Sequence, residues 1–294
     1  MTSQPADPPV DVESRLLALE TSVARLISMV EPAFAASNIA APVALPLLKE
    51  AAQHASSAKF FALLDIGEAL LKYSAALAFA SVVQASNPQS DEIMEMFKQP
   101  PTLGKLAEAL RKTLDDHGHA EWPMDILRTA FRKPNDKPTP TARYLFDDFI
   151  KLRNDERGHG AQQPEGYYEG LYLRNYLILH DSVRNSKHVQ IPLVYMNAVD
   201  HVHEQYSYKT TILMGGAATR SPESIETSVK LRVGSTCVWD HGVHLLPLHE
   251  FVVYSYCTTC ALEHVFFAER ITKEKAFYHS YFGNHRMVIE RAAK

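Results

Sequence analysis

The stretch Phe146-Asp147-Asp148-Phe149-Ile150-Lys151-Leu152-Arg153-Asn154-Asp155-Glu156-Arg157-Gly158-His159-Gly160 sets the interpretation of the whole chain. Phe146, Phe149 and Ile150 recur at the spacing of one helical face, and that face continues to Arg153 and Arg157. An arginine is thereby aimed where a core should be. Burying an unpartnered guanidinium is costly, so it is either paired internally or facing a pocket or a dimer seam. Gly158 offers a left-handed stop that allows His159 to fold back toward the last helical turn. Arg153, Asn154 and His159 can then converge. Such a cluster suits attack of a ribose 2′-hydroxyl on the neighbouring phosphate: a histidine near neutral pKa moves protons, and arginine binds the phosphate oxygens as charge builds. No metal is required for that step.

Working outward, residues 56–83 place Phe60, Leu63, Leu64, Gly67, Leu70, Leu71, Ser74, Leu77, Ala78 and Ser81 on a stripe of 3.6-residue period, which predicts a long core helix. Glu68 and Lys72, four apart, fall on its polar side and predict a solvated face. Further helices are expected at 102–116, 123–131, 142–157 and 166–184, with a proline-rich loop at 133–141. Upstream, Val12, Leu16, Leu19, Val23, Leu26 and Val30 alternate in steps of four and three. That is the seam of a short coiled coil that self-associates, or of a helix packing on its own domain. Pro32, Pro42 and Pro46 then break the helix and mark a linker or a bent two-helix entry. Beyond Asn185 the texture changes to β-branched and aromatic runs at 189–196, 206–214, 224–233, 251–256, 263–271 and 276–282, with a hairpin turn at 272–275. The expected class is α+β: a tail at 1–11, a helical arm and linker at 12–50, a helical bundle at 51–185, and an antiparallel β-rich domain at 186–294.

The order Arg153-Asn154 through His159-Gly160, at the end of one amphipathic helix and before another, resembles the Arg-(four to six residues)-His signature of HEPN ribonucleases. The resemblance covers about residues 51–185. It implies Arg153 and His159 as the catalytic pair with Asn154 in support, and a dimer in which two motifs face one cleft. It also implies metal-free RNA cleavage leaving 2′,3′-cyclic phosphate ends, and a role as a toxin or antiviral (abortive-infection) effector. Arg157, Arg174 and Asn175 are candidates for substrate contact. RNA, a second copy of the chain and a regulatory protein or small-molecule trigger are the partners implied. A non-catalytic reading stands beside this one: an oligomeric scaffold of the same fold that binds nucleotide, RNA or a protein.

The spacing recurs in Arg174-Asn175-Tyr176-Leu177-Ile178-Leu179-His180. In an unbroken helix, six residues set two side chains about 120° apart, and no break there brings His180 back to Arg174. A structural role is also open to the first copy, with Arg153 paired to Asp147, Asp148 or Asp65.

In the second half, Cys257-Thr258-Thr259-Cys260 with His264 forms half of a zinc knuckle, which Cys237 or a histidine such as His241, His244 or His249 could complete. Buried free cysteines at a strand end account for the same residues, and no cofactor is expected. His201 and His203 share a strand face and could ligate a metal or line a polar edge. Arg270, Lys273, Lys275, Arg286 and Arg291 interleave with Tyr278, Tyr281, Phe282 and His285, as in a base-stacking surface or in a hairpin with aromatics inward.

The 294 residues are 46% hydrophobic and 22% charged with a net charge of -4, ordinary globular composition. That balance excludes coating of nucleic acid by bulk charge, so RNA would need a local patch. Three cysteines suit a reducing compartment, and a cytoplasmic location is expected. The unbroken apolar run 73–83 is short for a bilayer crossing, and no membrane role is expected. No phosphate-binding Gly-rich loop and no Gly-x-Ser-x-Gly elbow is present.

Overall fold

The computed structural model describes residues 36–86, 88–116, 122–158, 163–202, 205–221, 224–242, 244–248 and 250–291. The tail at 1–11, the predicted coil at 12–30, and His159, His203 and His249 lie outside the described residues. The chain is α+β, helical first and then built of antiparallel strands.

Helix α1 (Ala41–Ala51) forms where the prolines marked a linker or a bent two-helix entry. Pro42 sits in its first turn, where no intrahelical N–H is needed, and Pro46 follows within the helix at the loss of one backbone bond. Helix α2 (Ser56–Gln84) is the centre of the helical part and is buried on nearly all sides. It is long and apolar enough to cross a membrane, which the shorter unbroken run did not suggest; 83% of its most apolar window is buried inside the fold. Helices α3 (Gln89–Met96), α4 (Leu103–Asp116) and α5 (Met124–Phe131) follow. Thr139 then caps a short helix α6 (Pro140–Arg143), its hydroxyl accepting the Ala142 N–H at 3.1 Å. A π-helical turn, Tyr144–Asp148, connects α6 to α7 (Phe149–Gly158), and α8 (Glu165–Asn185) closes the helical part.

The first sheet contains β1 (Leu193–Val202), β2 (Gln205–Met214), β3 (Ala217–Arg220), β4 (Ile225–Thr227), β5 (Thr236–Trp239) and β6 (Leu245–Pro247). Its order is β3-β2-β1-β5-β6, with β4 also pairing β2. The second is a meander of β7 (Val252–Cys257), β8 (Leu262–Ile271), β9 (Lys275–Ser280) and β10 (His285–Glu290), paired in chain order. Only Ile225–Thr227 of the run expected at 224–233 is a strand. The sheets meet where the Leu248 N–H bonds the Thr236 carbonyl at 2.7 Å and the Thr236 hydroxyl donates to the Val252 carbonyl.

One apolar core runs from α1 and α2 through α4 to α8 and into both sheets. Phe79 of α2, Phe97 after α3 and Phe251 before β7 pack as a triangle with ring centroids 5.5 to 6.3 Å apart. Backbone bonds also cross between the parts, from the Ile271 N–H to the Phe97 carbonyl and from the Gly215 N–H to the Ile39 carbonyl, each 2.7 Å. A smaller cluster around Val194, Met196, Tyr208, Cys237 and Trp239 fills the first sheet.

Candidate functional site

The π turn sets the rotation with which α7 meets α2. Phe149, Arg153 and Arg157, each four apart, form one row on that helix. The Phe149 ring lies over Gly67, so close that a Cβ there would sit 2.3 Å from it. One turn on, the Arg153 Nε donates to Glu68 Oε1 at 2.8 Å, and the Arg157 Nε reaches the same oxygen at 3.3 Å. The Arg157 Nη2 donates to Asp65, whose other oxygen accepts from Lys49 at 2.8 Å. From the end of β9, the Tyr281 hydroxyl donates to Glu68 Oε2 at 2.9 Å, and the Lys72 ammonium lies 5.1 Å from the Tyr281 ring.

Glu68 is therefore not on a solvated face: it is 4% exposed. Burial by itself would push its carboxyl up, but the Arg157 charge and the Arg153 hydrogen bond outweigh burial and hold it below the ordinary value. Arg157 is weakened as a cation by burial and strengthened more by Glu68 and Asp65, so its pKa stands above the usual arginine value. Burial lowers Lys72, partly offset by Glu68. Four cations, Lys49, Lys72, Arg153 and Arg157, gather around Asp65 and Glu68, and Glu269 also acts on Lys72.

Of the sequence candidates, Arg153 and Asn154 meet directly, the Arg153 Nη1 donating to the Asn154 Oδ1 at 3.3 Å. The partner of Arg153 is Glu68; among the acids that spacing suggested, Asp65 takes Arg157 and Asp147 takes Arg111 at 3.1 Å. On α8 the Arg174 Nε turns back to the Gly170 carbonyl, and Asn175 accepts from the Tyr144 hydroxyl at 2.9 Å. His180 faces Glu50 at 3.6 Å instead of Arg174. Glu50 also accepts from the Tyr172 hydroxyl.

Comparison with protein-family models, curated proteins and solved structures returned no match.

The second half gathers a different set. The Sγ atoms of Cys257 and Cys260, a nitrogen of His264 and a nitrogen of His285 lie within 4.8 Å of one another. Cys237 is not among them: it is buried in the smaller core, where desolvation pushes its thiol up to about 12. His241 packs on Trp239, and His244 stacks on Trp122. Sequence spacing pointed to Cys257, Cys260 and His264 but not to His285, which is 21 residues further on and comes close through the β9–β10 turn.

His201 stacks on Tyr206 at 4.8 Å, beside an Asp200–Lys209 contact of 3.7 Å. The C-terminal basic residues mostly have acidic neighbours, Lys275 with Glu290 at 2.9 Å, Arg286 with Glu269 at 3.7 Å and Arg291 with Glu250 at 3.2 Å, and Tyr278 and Tyr281 are buried. The two tyrosines point inward and the charges outward, as in the hairpin arrangement, while Phe282 is 39% exposed. Between the sheets an open groove is lined by Tyr195, Arg232, Tyr254, Lys273, Tyr278 and Arg291.

Proposed function

We propose that this chain is an endoribonuclease that cuts RNA without a catalytic metal, using Arg153, Asn154 and His159. The observation that carries the reading is the anchoring of Arg153: Glu68 holds its Nε and Asn154 its Nη1, and among the described residues its Nη2 has no protein partner. A guanidinium fixed along one edge and free at another is prepared to bind a phosphate oxygen without reorganising as charge develops.

In this mechanism His159 takes the proton of a ribose 2′-hydroxyl, and the oxygen attacks the adjacent phosphorus. Arg153 stabilises the pentacoordinate centre, Asn154 orients the phosphate, and the leaving 5′-oxygen takes back the proton held by His159 as the 2′,3′-cyclic phosphate forms. Arg157, tied to Asp65 and Glu68, acts by field and position. Self-association is part of the proposal. Leu173 and Leu177 of α8 are 64% and 67% exposed one helical turn apart, beside the 46% exposed Ile178, an apolar strip suited to a second copy.

The scaffold alternative draws on the same geometry, because an arginine tied to a buried glutamate also suits a purely structural role, and the groove between the sheets offers a place for a partner. One experiment separates the two. Labelled RNA is incubated with the full chain in magnesium-free buffer with chelator, beside His159→Ala and Arg153→Ala, with unfolding curves for each. Cleavage that falls by a factor of about 100 or more in both variants while His159→Ala stays as stable as the parent supports the nuclease. Absence of cleavage by the parent over a panel of RNAs, with Arg153→Ala markedly destabilised, supports the scaffold.

A further inference from the structure

The β7–β8 and β9–β10 turns lie at the same end of the meander, and four metal-ligating side chains converge between them. Cys257 ends β7, Cys260 lies in the turn, His264 is on β8 opposite Ser255, and His285 opens β10 opposite Ser280. Gly283, at φ +71°, makes this possible: a Cβ there would stand 2.9 Å from the His285 ring, so only glycine lets that imidazole lie back over the turn toward Cys257.

We propose that Cys257, Cys260, His264 and His285 form a structural zinc site that staples the two hairpin tips together. The chemistry is that of a Cys2His2 donor set, two soft thiolates and two imidazoles, which selects zinc over the oxygen-loving cations. The dimensions fit. Zinc bonds of about 2.3 Å to sulfur and about 2.0 Å to nitrogen give a tetrahedron with edges of roughly 3.3 to 3.8 Å. Cys257 Sγ and His285 Nδ1 are 3.3 Å apart, Cys260 Sγ and His264 Nε2 are 2.7 Å apart, and no pair of ligand atoms exceeds 4.8 Å. Shifts of about an ångström or less bring all four onto one ion. With four protein ligands the coordination is closed to substrate, so the ion holds structure and performs no hydrolysis. What it holds is specific: the turn that follows β9 begins with Tyr281, whose hydroxyl reaches Glu68 and through it Arg153.

The test uses the full chain without a histidine tag, expressed with zinc and dialysed against metal-free buffer. Elemental analysis should find one zinc per chain. Cys260→Ser and His285→Ala should drop to background, while Cys237→Ala should keep its zinc. Because a ligand variant can fail to fold, the parent is also stripped with a strong chelator and reloaded. Its melting temperature should fall and then recover with zinc, and cobalt(II) in its place should give the visible bands of a tetrahedral dithiolate site. A parent chain holding no more zinc than the Cys257→Ser/Cys260→Ser double variant would overturn the proposal. So would cobalt without visible bands, or recovery of the two thiols as a disulfide. None of these readouts depends on RNA cleavage.

Discussion

His188 shows how a single buried imidazole sets a pH limit on the fold. It follows α8 and is fully buried, its ring beside Tyr73 and Phe131. The Ser74 hydroxyl contacts the Leu70 carbonyl at 2.7 Å and His188 Nε2 at 2.8 Å. One hydroxyl proton cannot serve both, so both bonds together require Nε2 to carry the proton, and among the described residues Nδ1 is left without a partner. Burial drives the pKa down to about 3 from 6.5. Between those values the unfolded chain binds a proton that the folded chain refuses, so this group's effect on stability is favourable at neutral pH and is lost as pH falls from 6.5 toward 3. From pH 7 to pH 4.5, the parent should lose about 2 kcal/mol more unfolding free energy than His188→Gln. Denaturant titrations at the two pH values measure this, and parallel losses in both proteins would refute it. Residue-scale reading of the sequence found an arginine on an apolar stripe that needs a partner, but the left-handed stop expected at Gly158 does not form: that glycine is the last residue of α7 and its φ is not positive. It also failed at Glu68, because a glutamate on a helix looks solvated until tertiary contacts bring Arg153, Arg157 and Tyr281 onto it.

At the scale of elements, the contact between α2 and α7 depends on Gly67 lying under Phe149. Gly67→Ala gains helix propensity worth about 1 kcal/mol, yet its methyl must displace an aromatic ring that has no exposed surface. The clash should win, for a net loss of about 1 to 3 kcal/mol on chemical denaturation, and Gly67→Ala with Phe149→Leu should recover part of it. Equal or greater stability of Gly67→Ala would show that the ring moves freely. The helices were legible to within a few residues at α2, α4, α5 and α8, because their apolar positions recur at helical spacing, over only eight residues in α5. The π turn was not legible, since inserting one residue per turn leaves no compositional mark and only changes which side of α7 faces α2. Helix α1 was hidden by its prolines: Pro42 sits in the first turn, where helices tolerate it, but Pro46 lies in the interior and costs a backbone bond. Strands β5 and β6 were missed because they are three or four residues long, too short for alternation to register. β10 does alternate between half-buried and exposed positions, but its Arg, Met and Glu side chains blur that signal in the sequence.

For the whole molecule, composition changes sharply near residue 185, yet burial does not divide there. Leu193, Leu213, Leu246, Phe251 and Phe266 belong to the same core as Phe60, Leu70 and Phe131. Phe79 would lose Phe251 if the chain were cut, and Glu68 would lose Tyr281, leaving a buried carboxylate oxygen without its hydroxyl donor. The candidate site depends on the β-rich part for the same reason, since the residue that completes the Glu68 network is supplied by the end of β9. No spacing rule joins residues 213 apart, so that part of the site could not be found in sequence. Equilibrium unfolding of the full chain should therefore be one cooperative transition, coincident by tryptophan fluorescence and far-ultraviolet circular dichroism. A fragment ending at residue 185 should be insoluble or molten, binding a hydrophobic dye, because Phe79 of α2 and Phe97, just after α3, would face water. Two separated transitions, or a 36–185 fragment that melts cooperatively and keeps sharp side-chain resonances, would mean that the helical part folds alone and that Tyr281 is dispensable to it.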